Sequence, residues 1–155
     1  MKESNMNECS CNACVNACKH RPGWFKPDEL KKTAKLLNIS LKKLFKEKFA
    51  VDWWEGVNGS IFLIAPAIKG QKTGKEYPAY PRGECIFFEN GKCSIHEAKP
   101  FECAEFIHTD NNKDANLRHE MIAKIWLSKQ DFVKKLLGRK PKSKKLDMFD
   151  IFDML

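Results

Sequence analysis

The seven cysteines of this 155-residue chain fall into two groups whose spacing suits metal ligation. Cys9, Cys11, Cys14 and Cys18 share one short stretch, and Cys85, Cys93 and Cys103 follow about seventy residues later. Closely spaced cysteines let one loop present several thiolates to one ion at little ordering cost, whereas the distant group reaches the same site only through folding. Crowded thiolates repel one another, and a soft cation or a positively charged cluster core offsets that repulsion. Zinc and iron–sulfur clusters both qualify. Six sulfurs could make one four-cysteine cluster with two spare, a binuclear zinc site with bridging thiolates, or one closed site beside a reactive pair. Cys9 is separated from Cys11 by a single residue, too little for both to chelate one ion comfortably, and reads as a spare or bridging thiol.

Composition narrows the setting. The N-terminus runs Met-Lys-Glu-Ser-Asn-Met-Asn-Glu into the cysteines with no apolar stretch of the kind a secretory signal carries, so a cytoplasmic location is expected. In a reducing compartment the cysteines stay thiols, and an odd number of them argues against a closed disulfide framework. The longest apolar run, residues 61–68, is far too short to cross a bilayer and contains Pro66, so no membrane partner is expected. The formal charge of +8 favours anionic partners, although lysine-rich helices also serve solubility.

The elements that must position the cysteines can be read from pattern. Pro27-Asp28-Glu29 sets a proline and two acids where a helix begins. Leu30, Ala34 and Leu37, then Leu41, Leu44, Phe45 and Phe49, carry the apolar spacing of two short helices, broken near Asn38-Ile39-Ser40 with Ser40 as the second N-cap. Val51-Asp52-Trp53-Trp54 and Ile61-Phe62-Leu63-Ile64 read as two strands around a break at Gly56-Val57-Asn58-Gly59. Gly70 to Lys75 is a turn, and Tyr77-Pro78-Ala79-Tyr80-Pro81 an extended link to Cys85. Residues 85–96 form a hairpin in which Asn90-Gly91 supply the two positive-φ positions of a type I′ turn. With regular pairing, Phe88 faces Cys93 and Cys85 faces His96. The two cysteines then lie on opposite faces, and sharing a metal needs a bulge or frayed strands.

Pro100 opens a short helical turn carrying Cys103 and Phe106, and a long helix is expected over about residues 115–137, with Leu117, Met121, Ile125, Leu127, Phe132, Leu136 and Leu137 on its apolar side. Gly138 suits its C-terminal cap. Residues 134–145 hold seven basic residues and no acid. The last ten residues are acidic and apolar, and as a helix would set Asp147, Asp150 and Asp153 on one side and Met148, Ile151, Phe152 and Leu155 on another. The chain is therefore divided into a cysteine-rich metal-binding domain, residues 1–138, and a basic linker with an acidic amphipathic tail, residues 139–155.

Cys93-Ser94-Ile95-His96-Glu97-Ala98-Lys99-Pro100-Phe101-Glu102-Cys103 follows the pattern C-x-I-[YH]-x-x-[RK]-P-x-x-C, and Cys11-Asn12-Ala13-Cys14-Val15-Asn16-Ala17-Cys18 follows C-x-x-C-x-x-C-C except at Ala17. Together these motifs, with Cys85 ahead of Ile86-Phe87-Phe88 and Gly91, resemble the CxxCxxCC, YkgJ-like family of zinc- or iron-chelating proteins. The resemblance covers roughly residues 9–108. It implies metal ligation by Cys11, Cys14, Cys18, Cys85, Cys93 and Cys103, and it favours an iron–sulfur cluster, 4Fe–4S in type, because similar cysteines occur in iron–sulfur oxidoreductases and in larger flagellin lysine methylases. The extra sequence of those larger enzymes is absent here, so their methyl transfer is not implied. Ala17 takes the place of one thiolate, so a site that uses it turns to Cys9 or His20 or keeps an open position. Ala104 stands where an arginine usually follows the last cysteine. At His96 the family pattern also admits tyrosine, which points to a hydrogen bond to a ligand rather than to ligation.

His20 and His108 lie near cysteine segments and read as supporting or solvated side chains, while His119 has no metal-binding neighbour in sequence. Trp24, Trp53, Trp54 and Trp126 could stack on nucleobases, but burial explains them more simply. The expected architecture is a small α+β domain with short helices and an antiparallel β-hairpin, tied together by a cysteine-ligated iron–sulfur cluster or zinc. Its expected function is metal binding, with electron or group transfer to an undetermined redox or protein partner if the centre is iron–sulfur. The alternative is a structural zinc module that presents a basic surface to nucleic acid or to an acidic protein.

Overall fold

The computed structural model describes residues 22–78, 82–95, 98 and 112–143, with residues 112–115 described as backbone only. It shows a small α+β fold. Helix α1 spans Glu29–Leu37 and α2 spans Leu41–Lys48, followed by strands β1, Phe49–Gly56, and β2, Gly59–Pro66. A short ribbon follows, β3, Phe88–Glu89, and β4, Lys92–Cys93. Helix α3, Asn112–Trp126, passes through a 3-10 turn, Leu127–Lys129, into helix α4, Gln130–Leu137.

Local chemistry explains the first boundaries. Glu29 starts α1 and its carboxylate accepts from the Lys26 backbone amide at 2.7 Å, which satisfies a donor just ahead of the helix. Asn38 ends α1 in the left-handed region, with φ of 55°, where asparagine is tolerated. Ser40 caps α2 by accepting from the Lys43 amide at 3.2 Å, as its position before the apolar repeat predicts. Phe49, expected in the second helix, is instead the first residue of β1. It is fully buried, and its carbonyl accepts from Gly74 at 2.7 Å.

β1 and β2 pair antiparallel along their whole length, from Phe49 against Pro66 to Gly56 against Gly59. The strands run several residues beyond the apolar clusters that announce them, because paired backbone groups extend the ladder past the side chains that favour it. Buried residues concentrate toward the open end of this ribbon. Val51, Leu63, Ile64 and Ala65 pack there with Leu30, Leu44 and Phe45 from the helices.

The expected continuous helix over residues 115–137 is broken. The side-chain amide of Gln130 donates to the carbonyls of Trp126, at 2.9 Å, and Phe62, at 2.8 Å, while its oxygen accepts from the Phe62 amide at 2.9 Å. Gln130 thus completes the outer edge of β2 as a neighbouring strand would, and the 3-10 turn aligns it. The break also changes which face is covered. Ile122, Ala123, Trp126 and Val133 are buried, whereas Leu117, Met121, Ile125 and Leu127, expected on the apolar side, are exposed. Phe132, Leu136 and Leu137 pack partly against the core, and Gly138 ends α4 at φ of 83° as expected.

The outer edge of β1 is covered by the chain around Glu76, which pairs with Val51 as an isolated parallel bridge. Glu76 is buried, and Arg139 reaches it in a two-pronged ion pair at 2.6 and 2.5 Å. The Lys142 amide donates to the same carboxylate at 3.0 Å. Residues 139–142 of the basic stretch are therefore docked on the domain. These hydrogen bonds, Arg139 foremost, hold the Glu76 carboxyl well down, to about 2.

Two outcomes are expected. The stabilisation from Glu76 is complete above about pH 4.5 and is lost as pH falls from there toward 2, so Glu76→Gln should flatten that part of a stability-versus-pH curve and cost about 1–3 kcal/mol at pH 7 in denaturant unfolding. Gln130→Leu should cost about 1–2 kcal/mol and speed hydrogen exchange of the Phe62 amide, because two backbone groups of β2 lose their partner.

Candidate metal centre

Two of the six cysteines that the family resemblance implies, Cys85 and Cys93, lie among the described residues. Asn90 and Gly91 have φ of 50° and 77°, the two positive values that a type I′ turn requires, so the turn closes where Asn-Gly predicts it. The register is also as expected, Phe88 against Cys93 and Glu89 against Lys92. The ladder does not run back to Cys85. The Phe88 amide donates to the Cys85 carbonyl at 2.9 Å, which turns the chain just before β3. The Ser94 amide still donates to the Phe87 carbonyl at 2.6 Å, but regular pairing does not reach Cys85, and the opposite-face constraint that it would place on the two cysteines does not apply.

Cys85 instead continues the main ribbon. It pairs with Ile68 as an antiparallel bridge, flanked by the bonds Lys69 amide to Glu84 carbonyl and Ile86 amide to Ala67 carbonyl, both 2.9 Å. Ile68 and Cys85 are buried, and Phe87, Phe88 and Ile95 belong to the same core. The Lys69 ammonium lies 3.0 Å from Glu84 and 2.5 Å from the Phe88 carbonyl, so it clasps both ends of the segment. Cys93 is half-buried.

Gly83 makes this docking feasible. Its φ is +143°, and a Cβ there would stand 2.6 Å from the Ile68 Cγ2. Only glycine lets the chain pass so close to a buried isoleucine. The sequence reads the approach to Cys85 as an extended link, and nothing local to Gly83 names the isoleucine.

The chain leaving the first cysteine group is pinned just as firmly. The Trp24 indole donates to the buried Asp52 carboxylate at 2.7 Å, which also accepts from the Trp53 amide at 2.8 Å. The Phe25 amide donates to the Ile64 carbonyl at 3.2 Å, and the Phe25 carbonyl accepts from the Trp126 indole at 2.6 Å. Residues 24 and 25 are thus fastened to β1, β2 and α3 together. His119, which has no metal-binding neighbour in sequence, has its ring centroid 4.5 Å from that of Trp24 and 5.9 Å from that of Trp54. Burial accounts for Trp24 and Trp126 as expected.

The chain leaving Cys93 toward Cys103 is also held. Ile95 is fully buried, the Ala98 amide donates to its carbonyl at 2.8 Å, and the buried Thr33 hydroxyl of α1 lies 3.2 Å from the Ala98 carbonyl. A threonine in a lysine-rich helix is the signal sequence reasoning passed over. Its burial is unusual for its type and indicates a partner.

Cys9, Cys11, Cys14, Cys18 and Cys103, the histidines His20, His96 and His108, the turn at Pro100 and the acidic tail all lie outside the described residues. Among the described residues no three His, Cys, Asp or Glu side chains gather as a metal site, and no helix is long and apolar enough to cross a membrane. Comparison with family models, curated proteins and solved structures finds no match.

Gly83→Ala should destabilise the fold by about 1–3 kcal/mol and should raise the rate at which a thiol reagent labels Cys85, read site by site by mass spectrometry. Unchanged stability and labelling would mean that the segment does not depend on this close approach.

Proposed function

We propose that this chain binds an iron–sulfur cluster, or zinc in the same thiolate set, through Cys11, Cys14, Cys18, Cys85, Cys93 and Cys103, and that it is a relative of the CxxCxxCC, YkgJ-like proteins. One observation carries the reading. The chain leaving the first cysteine group at Trp24, the segment bearing Cys85 and Cys93, and the segment leading toward Cys103 at Ala98 are each anchored to the core formed by α1, β1 and β2. Described segments that flank or bear the cysteines, remote from one another in sequence, are thus held on a common framework.

The donor set fits the group. Soft thiolates are the ligands that zinc and iron–sulfur clusters prefer, and the turn between Cys85 and Phe88 removes the alternation that would oppose sharing by Cys85 and Cys93. Cys85 is buried and belongs to the apolar core, whereas Cys93 is half-buried. When bound, an iron–sulfur centre supplies one-electron chemistry. The chain's own part is to hold the sulfurs: the Ile68 bridge fixes the backbone at Cys85 and the Asn-Gly turn fixes it at Cys93.

Protein purified without oxygen or added metal should carry metal by elemental analysis, with broad visible absorbance that bleaches on reduction if the centre is iron–sulfur and a colourless spectrum if it is zinc. Cys93→Ala should lose that metal. Full metal content and an intact fold in Cys93→Ala would overturn the ligand assignment.

A further inference from the structure

Three segments far apart in sequence meet beyond the outer edge of β1, and each is rich in lysine. Helix α2 carries the exposed Lys42 and Lys46. The loop over residues 70–76 lies against it: the Thr73 hydroxyl donates to the Lys46 carbonyl at 2.6 Å, and a Cβ on Gly74, at φ of +67°, would stand 3.0 Å from the Lys46 Cα. That loop exposes Lys72 and Lys75. The third segment, residues 139–142, is drawn to the same loop by the Arg139–Glu76 pair and by the Lys142 amide bond to Glu76, and it exposes Lys140 and Lys142.

Among the described residues, little within these segments offsets the charge. Within the three segments the acids are Glu47 and Glu76. Glu76 is buried and engaged by Arg139, and Glu47 lies 3.9 Å from Lys43 in a solvent-exposed pair. The surface is therefore a concentrated positive field assembled by tertiary structure rather than one face of a single lysine-rich helix.

We infer that this surface binds the phosphate backbone of nucleic acid. The exposed large apolar side chains of the described residues, Leu36, Val57, Leu117, Met121, Ile125 and Leu127, all lie outside the three segments. Protein interfaces are built around apolar and aromatic anchors and are depleted in lysine, whereas nucleic-acid interfaces are polar and strongly positive. Lysine ammonium groups on flexible stems read phosphate charge and carry no base code, so the binding is insensitive to sequence. This inference stands apart from the metal reading, since none of its residues is a cysteine or adjoins one.

The test is fluorescence anisotropy of a labelled single-stranded oligonucleotide of mixed sequence, titrated with the full chain at several salt concentrations. The expected dissociation constant at low salt is on the order of micromolar, weakening steeply as salt rises. Lys46→Glu with Lys75→Glu should weaken binding at least about tenfold and make the salt dependence shallower by about 0.7 per lysine, while Lys92→Glu with Lys124→Glu, an equal charge change elsewhere, should leave most of the affinity. Circular dichroism confirms that the variants fold. If the glutamate pair does not fold, Lys46→Gln with Lys75→Gln should still weaken binding several-fold. Absent binding at low salt, equal losses from the two lysine pairs, or competition by polyglutamate as effective as that by unlabelled oligonucleotide would each overturn the inference, the last in favour of an acidic protein.

Discussion

A two-stranded ribbon has two open edges, and the need to satisfy their backbone groups organises the rest of this fold. β2 is completed at Phe62 by the Gln130 amide, at Ile64 by Phe25, and beyond its end by the segment around Cys85. β1 is completed by residues 74–77, whose amides and carbonyls alternate with those of Phe49 and Val51. An isolated hairpin is marginal in water, and here the connecting segments take the place of the missing strands. The described segments at residues 24–25 and 84–86 are thereby also structural members of the sheet.

Buried polar anchors make this arrangement specific. Asp52 receives Trp24, the Phe25 carbonyl receives Trp126, the Pro66 carbonyl receives the Tyr77 hydroxyl, and Glu76 receives Arg139. Leaving one such group without its partner costs about 1–3 kcal/mol, so each contact excludes alternative dockings more strongly than it adds net stability. Aromatic packing reinforces them. Phe25 lies 4.9 Å from Phe49, and Trp24 meets Trp54 edge to face at 6.0 Å between centroids.

The cysteine-bearing and lysine-bearing segments differ in their chemical surroundings. The cysteine segment at 84–86 joins the continuation of β2, where the walls are apolar, whereas the lysine segments collect beyond β1, where the side chains are exposed. Glu76 links the second group to the core through its pair with Arg139, so one buried carboxylate both closes an edge of the sheet and draws a positive segment toward a lysine-bearing loop.

Sequence by itself determined the features that depend on residues a few positions apart. The Ser40 cap, the break at Asn38, the Asn90-Gly91 turn with its register, the paired strands around Val57-Asn58 and the Gly138 cap all follow from φ preferences, side-chain capping and alternation, which are local. The two described cysteines were legible as candidates for the same reason, through type and spacing. Tertiary structure alone decided what occupies the sheet edges, and with it the breaking of the helix at Leu127–Lys129, the exposure of Leu117, Met121 and Ile125, the meeting of His119 with Trp24, and the turn that releases Cys85 from the hairpin's alternation. Those outcomes depend on which distant backbone group needs a partner, as Phe62 needs Gln130 from 68 residues away, and no local pattern encodes that pairing.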